Sequence, residues 1–361
     1  MADILSAVRQ QAVEIYQSEL APTSFLRSLF PSDVRRSLGL INIETKRMGR
    51  RVAVDIVAGS TGNANRAQKS TASQFDAPEY NEYTPVTATD LYARGFGQTG
   101  FDGNALADIQ QNMADSWTEN RYSIERAIEL MCRDALYTGE ITLKNNDNVI
   151  YNRDPNSVID ATANGGAWST ASSKIDQSLI KAAEFITQKG QIDISGISIN
   201  VLMDAKAYQN FKANTKVRDD EKYQVFENAG LTRPTASTIG ASYMGVVFAG
   251  SYGFKIWTYP QSYEVLDLAG NVTETKNYIP DNTALVFVDN PEFKTIYQAI
   301  PRVQMVNGVA RPTFEVAQSS DGFVTYQYAD GRSNVVENGV RCKPIPVPVA
   351  IDTFSLINTE G

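Results

Sequence analysis

The feature that most constrains the fold is one long amphipathic helix, predicted over Asp102–Tyr137. Large apolar side chains recur there at the α-helical period of about 3.6 residues. The stripe consists of Leu106, Ile109, Met113, Trp117, Ile124, Ile128, Met131 and Ala135. A helix of this length spans roughly 50 Å, and no second helical pattern of comparable length could form a bundle with it. We therefore expect it to lie on a sheet as a spine, with Met113 and Trp117 in a protein core.

Length and composition indicate a globular chain. The 361 residues, 42% of them hydrophobic, suit one large domain or two to three small ones. No apolar run approaches the ~20 residues that cross a bilayer. The predicted helix Met1–Glu19 lacks the apolar block of a signal peptide. We expect no membrane partner and cytoplasmic synthesis.

Missing residue types exclude much catalytic chemistry. The chain has no histidine, so it lacks the commonest general base and metal ligand and cannot build a Ser-His-Asp triad. Its two cysteines, Cys132 and Cys342, cannot form a usual zinc site alone, and we predict free thiols. The acidic run Asp219–Glu221 is typical of a helix start with charged caps. We expect no enzyme, no metal and no cofactor.

Three glycines just before the long helix have the spacing of a dinucleotide-binding loop. Gly95, Gly97 and Gly100 fit G-x-G-x-x-G. The acidic residue expected about 20 positions later should end a second parallel strand, but Glu119 lies inside the predicted helix. We interpret the glycines as hinge candidates.

The charge balance argues against tight nucleic-acid binding. The net charge is −8 at pH 7, whereas proteins that grip DNA usually carry a basic face. We expect only weak, non-specific contact with DNA.

An apolar segment follows the first predicted helix. Phe25, Leu26 and Phe30 lie within six residues of each other, and such a cluster needs a packing partner. Two interpretations stay open on the residues alone: docking onto the chain's own core, or an arm that packs on a neighbouring subunit.

A long hairpin with a polar tip is predicted next. Val52–Ala58 alternates with period two, Gly59–Phe75 is polar, and Thr84–Ala93 alternates again and can pair back. The tip is either a solvated loop or an extension lying across an adjacent subunit. Basic residues that suit an acidic neighbour are Arg50, Arg51, Arg66 and Lys69.

The remainder reads as a mixture of helices and strands, which predicts an α+β fold. The predicted helices are Lys174–Lys189 and Asp204–Lys212, and the predicted strands include Ile197–Met203, Met244–Ala249, Phe254–Tyr259, Thr283–Val288 and several over Pro291–Tyr328. A run with alternating prolines, Cys342–Ile351, predicts an edge strand or an extended strip, since proline cannot donate to a ladder.

Six elements in this order resemble the major capsid protein E family of lambda-like tailed bacteriophages. They are Phe25-Leu26 with Phe30, the polar-tipped hairpin, the long helix, Met203-Asp204 with Tyr208 and Phe211, Tyr243-x-Gly245, and Ile279-Pro280-Asp281-Asn282 before a strand. The resemblance implies the tailed-phage major capsid fold. It implies an N-terminal arm at 1–43 and an extended loop at 44–96. It also implies a peripheral domain at 97–170 and 291–335, with the spine helix at 102–137, and an axial domain at 171–290 and 336–361.

The same resemblance implies a function. Copies would assemble into hexamers and pentamers of an icosahedral head around double-stranded DNA, with a separate scaffolding protein, a portal and sometimes a decoration protein as partners. The location would be the virion, assembled in the host bacterial cytoplasm. Alternatives are an encapsulin-like compartment shell, a carboxylate-dependent hydrolase or a glycan-binding adhesin. Inter-subunit contact candidates are Phe25, Leu26, Phe30, Arg50, Arg51, Arg66 and Lys69.

Overall fold

A computed structural model describes most of the chain. The described residues are 24–34, 41–46, 70–87, 105–143, 148–190, 199–218, 235–236, 240–266, 272–289, 291–306, 309–315, 322–330 and 335–360.

Helices and strands are numbered here in chain order. The helices are α1 (Phe25–Ser28), α2 (Ala105–Tyr137), α3 (Ile175–Lys189) and α4 (Ala205–Ala213). The strands are β1 (Ser32–Val34), β2 (Ile41–Lys46), β3 (Ser70–Phe75), β4 (Tyr80–Thr87), β5 (Glu140–Ile141), β6 (Val149–Ile150), β7 (Val158–Asp160), β8 (Ile199–Met203), β9 (Thr235–Ala236), β10 (Ser242–Ala249), β11 (Tyr252–Thr258), β12 (Ser262–Leu266), β13 (Val272–Asn277), β14 (Thr283–Val288), β15 (Phe293–Tyr297), β16 (Ile300–Val306), β17 (Val309–Glu315), β18 (Val324–Asp330), β19 (Val335–Cys342), β20 (Pro344–Pro348) and β21 (Phe354–Asn358).

The chain divides into two compact units. The first comprises 1–41, 75–131 and 294–347, and the second comprises 42–74, 132–293 and 348–361. The boundary falls inside α2, so this helix contributes residues to both units.

The second unit contains a seven-stranded sheet with the order β7-β21-β14-β8-β11-β10-β9. Strands β8 and β14 are buried along their whole length, as expected for apolar runs in the middle of a sheet. Val201 lies opposite Val286 on one side and Ile256 on the other. These side chains pack with the apolar face of α3, which presents Leu179 and Ile186, to form the core.

The first unit places α2 against a three-stranded sheet with the order β18-β19-β4. Asn120 on the helix donates from Nδ2 to the carbonyl of Asn338 at 3.1 Å, and Thr84 Oγ1 is 3.2 Å from Asn120 Oδ1. A second sheet has the order β1-β15-β20, in which β1 pairs with β15 in parallel. The helix therefore lies on a sheet, as its single apolar stripe predicted.

Most predicted elements are confirmed. The apolar stripe of α2 is buried from Met113 to Ala135, and β14 has the predicted bounds. The proline-rich strand β20 lies at the edge of its sheet, as expected for a strand in which every second residue is a proline without an N–H donor. Both cysteines are buried, and neither forms a disulfide.

The pairing predicted for the long hairpin, of Thr84–Ala93 with Val52–Ala58, stays a prediction, because residues 47–69 and 88–104 lie outside the described chain. Strand β4 overlaps the start of the predicted Thr84–Ala93 run. It pairs antiparallel with β19, some 250 residues later. Part of the polar stretch Gly59–Phe75 is a strand, β3, which pairs with β2. Alternation predicted a strand but carries no information about its partner. The predicted strand Val52–Ala58 lies outside the described residues.

Candidate assembly surfaces

The predicted N-terminal arm segment is fixed by a buried carboxylate within the first unit. Glu129 on α2 accepts the backbone N–H of Leu26 on Oε1 at 2.8 Å and that of Arg27 on Oε2 at 2.7 Å. These amides belong to the first turn of α1, where N–H groups have no acceptor within the helix. Both oxygens of one buried side chain therefore hold the segment by its backbone, which requires no particular side chain at positions 26 and 27.

A second carboxylate one turn earlier binds two guanidinium groups. Glu125 Oε1 forms an ion pair with Arg27 Nη1 at 2.7 Å and accepts a hydrogen bond from Arg121 Nε at 2.8 Å. Both guanidinium groups lie over the ring of Phe323, at 5.4 and 5.1 Å from its centroid. Burial alone would lower the pKa of Arg27, but Tyr297 and Glu125 outweigh it and the pKa is raised. Arg27 thus stays charged.

The three arm residues predicted to contact a neighbouring subunit are buried by their own chain. Phe25, Leu26 and Phe30 all belong to the core, which favours the first of the two interpretations of this segment. Little of their surface is left for another copy, and inter-subunit contact through them stays a prediction.

The motif Ile279-Pro280-Asp281-Asn282 forms the corner that leads into β14. Asn282 has φ +58°, the left-handed region that asparagine tolerates. Thr283 closes the corner by donating from Oγ1 to the carbonyl of Pro280 at 2.6 Å. Ile279 is buried, whereas Pro280 and Asp281 are exposed.

Asp204 joins this corner to the start of α4. Its carboxylate accepts the backbone N–H groups of Lys206 at 2.8 Å and Ala207 at 3.1 Å as an N-cap, and that of Thr283 at 3.3 Å. Burial raises the pKa of Asp204, and the three N–H donors act against this shift. Two of the motifs that carried the family resemblance are therefore joined by one side chain.

A third such motif, Tyr243-x-Gly245, also lies in this unit. Pairing between β10 and β11 shifts register between Tyr243 and Gly245, where Gly245 has φ +139°. Tyr243 packs against Trp257 with tilted rings and centroids 5.1 Å apart, and Trp257 Nε1 donates to Asn200 Oδ1 at 3.0 Å. The glycine provides the backbone conformation that re-aims the strand.

Two hairpins leave apolar side chains exposed. In the β16–β17 hairpin, Val303 is 69% and Phe314 50% exposed, and their pairing partners Pro312 and Pro301 are exposed too. In the β12–β13 hairpin, all six residues of β13 are exposed. Each hairpin is a two-stranded sheet, and isolated pairs are marginal in water. Exposed apolar groups on such ribbons are typical of surfaces that meet a partner.

Several predicted site residues lie outside the described chain. They are Arg50, Arg51, Arg66 and Lys69 of the loop and the hinge candidates Gly95, Gly97 and Gly100. Among the described residues there is no group of three or more metal-ligating side chains. No described helix has both the length and the apolar character needed to cross a membrane.

The acidic pair of α2 is not among the residues predicted from the sequence. Glu125 and Glu129 are both 0% exposed and lie one residue after Ile124 and Ile128, on the apolar side of the helix. Carboxylates are almost never fully buried unless paired. Two glutamates four residues apart on this side could therefore have indicated a buried partner, although not that it is Arg27.

Comparison with solved structures shows the fold. A presumed prophage capsid protein from Escherichia coli CFT073 superposes with a TM-score of 0.61 at 15% identity, over 97% of this chain and 98% of that one. A phage-related protein from Bordetella bronchiseptica RB50 gives a TM-score of 0.52 at 14% identity, over 98% and 97%. The α+β phage capsid fold expected from the sequence is confirmed.

Comparison of sequences shows the family. No curated protein sequence matches the chain significantly. The profile described as "Phage major capsid protein E" matches residues 7–354, nearly the whole chain. The chain therefore belongs to the phage major capsid protein E family, a family of structural proteins that form capsid shells.

Proposed function

We propose that this protein is the main shell subunit of a bacteriophage head. Copies assemble into hexamers and pentamers on an icosahedral lattice that encloses double-stranded DNA. The observation that carries the proposal is the family match over residues 7–354, supported by the shared fold. The role is structural, with no catalytic step and no cofactor.

The domain roles follow the resemblance. Residues 1–43 form an arm and 44–96 an extended loop. Residues 97–170 and 291–335 form a peripheral domain around the spine helix, and 171–290 with 336–361 form an axial domain. Glu129 on α2 accepts hydrogen bonds from the backbone N–H groups of Leu26 and Arg27. These bonds support the proposed arm, because they fix its position at these two residues.

Assembly rests on many moderate contacts. A standard protein interface buries about 800 Å² per partner, and a shell subunit makes several of them. The basic residues of the loop, Arg50, Arg51, Arg66 and Lys69, bind acidic neighbours, since the chain as a whole carries a net charge of −8. Gly95, Gly97 and Gly100 let the loop change its direction when the shell changes shape.

The partners are the subunit itself and accessory head proteins. A separate scaffolding protein guides assembly, a portal occupies one vertex, and a decoration protein binds some shells. Packaged DNA makes weak, non-specific contacts, because an acidic chain repels the polymer. The subunit is made in the host bacterial cytoplasm and ends in the virion.

A loop deletion tests this function directly. Removing residues 62–69 spares β3 and takes away Arg66 and Lys69. The expected product is a folded subunit that forms no closed shells in electron micrographs, with the neutral variant R66Q/K69Q as a length-matched control for charge. Normal shells from the deletion would refute the role of the loop. Wild-type shells that contain cargo protein and no nuclease-protected DNA would refute the phage head.

A further inference from the structure

An open groove lies in the second unit beside α4. It has a volume of about 630 Å³, within the range of sites that hold a ligand or a few side chains. Tyr208, Met244 and Pro260 supply apolar lining, and Lys212 and Arg218 supply two positive charges. The groove therefore suits an occupant that combines an apolar side chain with a carboxylate.

The two cations of the groove have no ion-pair partner in the described part of the chain. Lys212 and Arg218 are exposed, and neither side chain forms an ion pair with any residue of the described ranges. Their neighbour Lys216 differs, since it binds Asp176 at 2.5 Å. In a chain with net charge −8, two cations that have no ion-pair partner among the described residues, next to an apolar lining, form a local site for an acidic segment.

The β12–β13 hairpin offers the complementary chemistry. Val272 is 53% exposed. Glu264 is exposed and has no ion-pair partner among the described residues, whereas Glu274 is 3.1 Å from Lys276. The described part of the hairpin thus carries one net negative charge next to exposed apolar surface.

The base of the hairpin is held firmly next to the groove. Tyr263 packs against Tyr278 with tilted rings and centroids 5.1 Å apart, and it accepts a hydrogen bond from Arg133 Nη1 at 3.2 Å. Pro260, which lines the groove, lies two residues before the hairpin begins. Because β13 is exposed along its whole length, the hairpin does not fill the groove of its own chain.

We propose that the β12–β13 hairpin of one subunit docks into the α4 groove of the next copy, with its carboxylates on Lys212 and Arg218 and its apolar side chains on the groove lining. The contact uses two different surfaces, so it is heterologous and closes into a ring when the rotation between copies permits. Groove and hairpin are neighbours within the second unit, since Pro260 lines the groove and lies two residues before the hairpin. This inference rests on the proposed shell function and specifies one of its interfaces.

Reciprocal charge reversal tests the contact. The groove variant K212E/R218E and the hairpin variant E264K/E274K should each lower the yield of closed shells about tenfold or more, because each places like charges against each other. The four-residue combination restores opposite charges and should recover most of the wild-type yield. The control K206E reverses an exposed charge on the same helix, outside the groove lining, and should assemble normally. Circular dichroism of each unassembled variant confirms that it is folded.

The possible outcomes distinguish a failure of the proposed contact from a failure of the proposed shell function. Rescue by the combined variant supports the contact. Normal assembly of K212E/R218E beside normal wild-type shells overturns the contact and leaves the shell function standing. A defective groove variant that E264K/E274K does not rescue assigns the groove to another occupant, such as an accessory protein, and also overturns the contact. A wild-type chain that forms no shells defeats both proposals.

Discussion

Replacing Glu125 by glutamine should destabilise the first unit strongly. Glutamine keeps the size of the side chain and one carbonyl acceptor but removes the charge that faces Arg27 and Arg121. These arginines are 6% and 4% exposed, and both contact Glu125 Oε1 within 2.8 Å. Removing one partner of a buried ion pair costs about 3–5 kcal/mol. The Tyr297 hydroxyl, 3.4 Å from Arg27 Nη2, retains a little support, so we expect about 3 kcal/mol.

Hydrogen exchange in urea, read by mass spectrometry on peptides of α2 and of β18–β19, measures this loss for the first unit separately. With a denaturant slope of ~2 kcal/mol per molar urea, the unfolding midpoint should fall by about 1.5 M. The matched control E119Q changes an exposed glutamate of the same helix and should stay within about 0.5 kcal/mol of wild type.

Two outcomes decide this prediction. Equal unfolding midpoints for E125Q and E119Q would show that the buried charges of Glu125, Arg27 and Arg121 contribute nothing to stability, which would refute the prediction. The triple variant R27M/R121M/E125M removes all the charges together and should recover much of the stability, because replacing a whole buried ion pair by apolar side chains is often neutral.

Three further predictions concern the second unit and the helix. D204A removes the N-cap of α4 and leaves the N–H of Thr283 without its acceptor. It should lower the free energy of unfolding in urea by about 2–4 kcal/mol, and a loss below 1 kcal/mol would contradict the role of Asp204 in joining α4 to the corner before β14. Burial and the charge of Asp204 raise the pKa of Tyr137 far above its ordinary value of 10.0. Above pH 10 the unfolded chain therefore releases this proton while the folded chain keeps it, so this tyrosine should lower the stability of the wild-type protein by about 1.4 kcal/mol per pH unit. Y137F should lack this loss, and an unchanged dependence of stability on alkaline pH would contradict the prediction. The substitution I124P should cost ~3 kcal/mol or more in α2, and a native-like circular dichroism spectrum would show that the helix tolerates it.

Local pattern was enough to place most elements. The 3.6-residue period defined α2 because one face packs in a core from Met113 to Ala135. The continuous apolar run at β14 defined a buried central strand because both of its faces are covered. Turn residues located the corner at Asn282, whose positive φ explains why asparagine stands there.

Long-range partners could not be predicted from the sequence. The sequence pattern predicts that Asp204 begins a helix. Its hydrogen bond to Thr283, 79 residues later, depends on the pairing of β8 with β14 and cannot be predicted in the same way. Strand β4 alternates correctly, yet its pairing with β19 depends on the whole first unit. The binding of Glu129 to the backbone at Leu26 leaves no mark on the identity of residue 26.

The proposed shell function depends on self-assembly of this one chain, and the native mass of the purified particles measures this most directly. Particles purified under conditions that support head formation should sediment as closed shells with a mass of many multiples of 39.7 kDa. A species that stays at 39.7 kDa under all such conditions, with its scaffolding partner present, would contradict the proposed function.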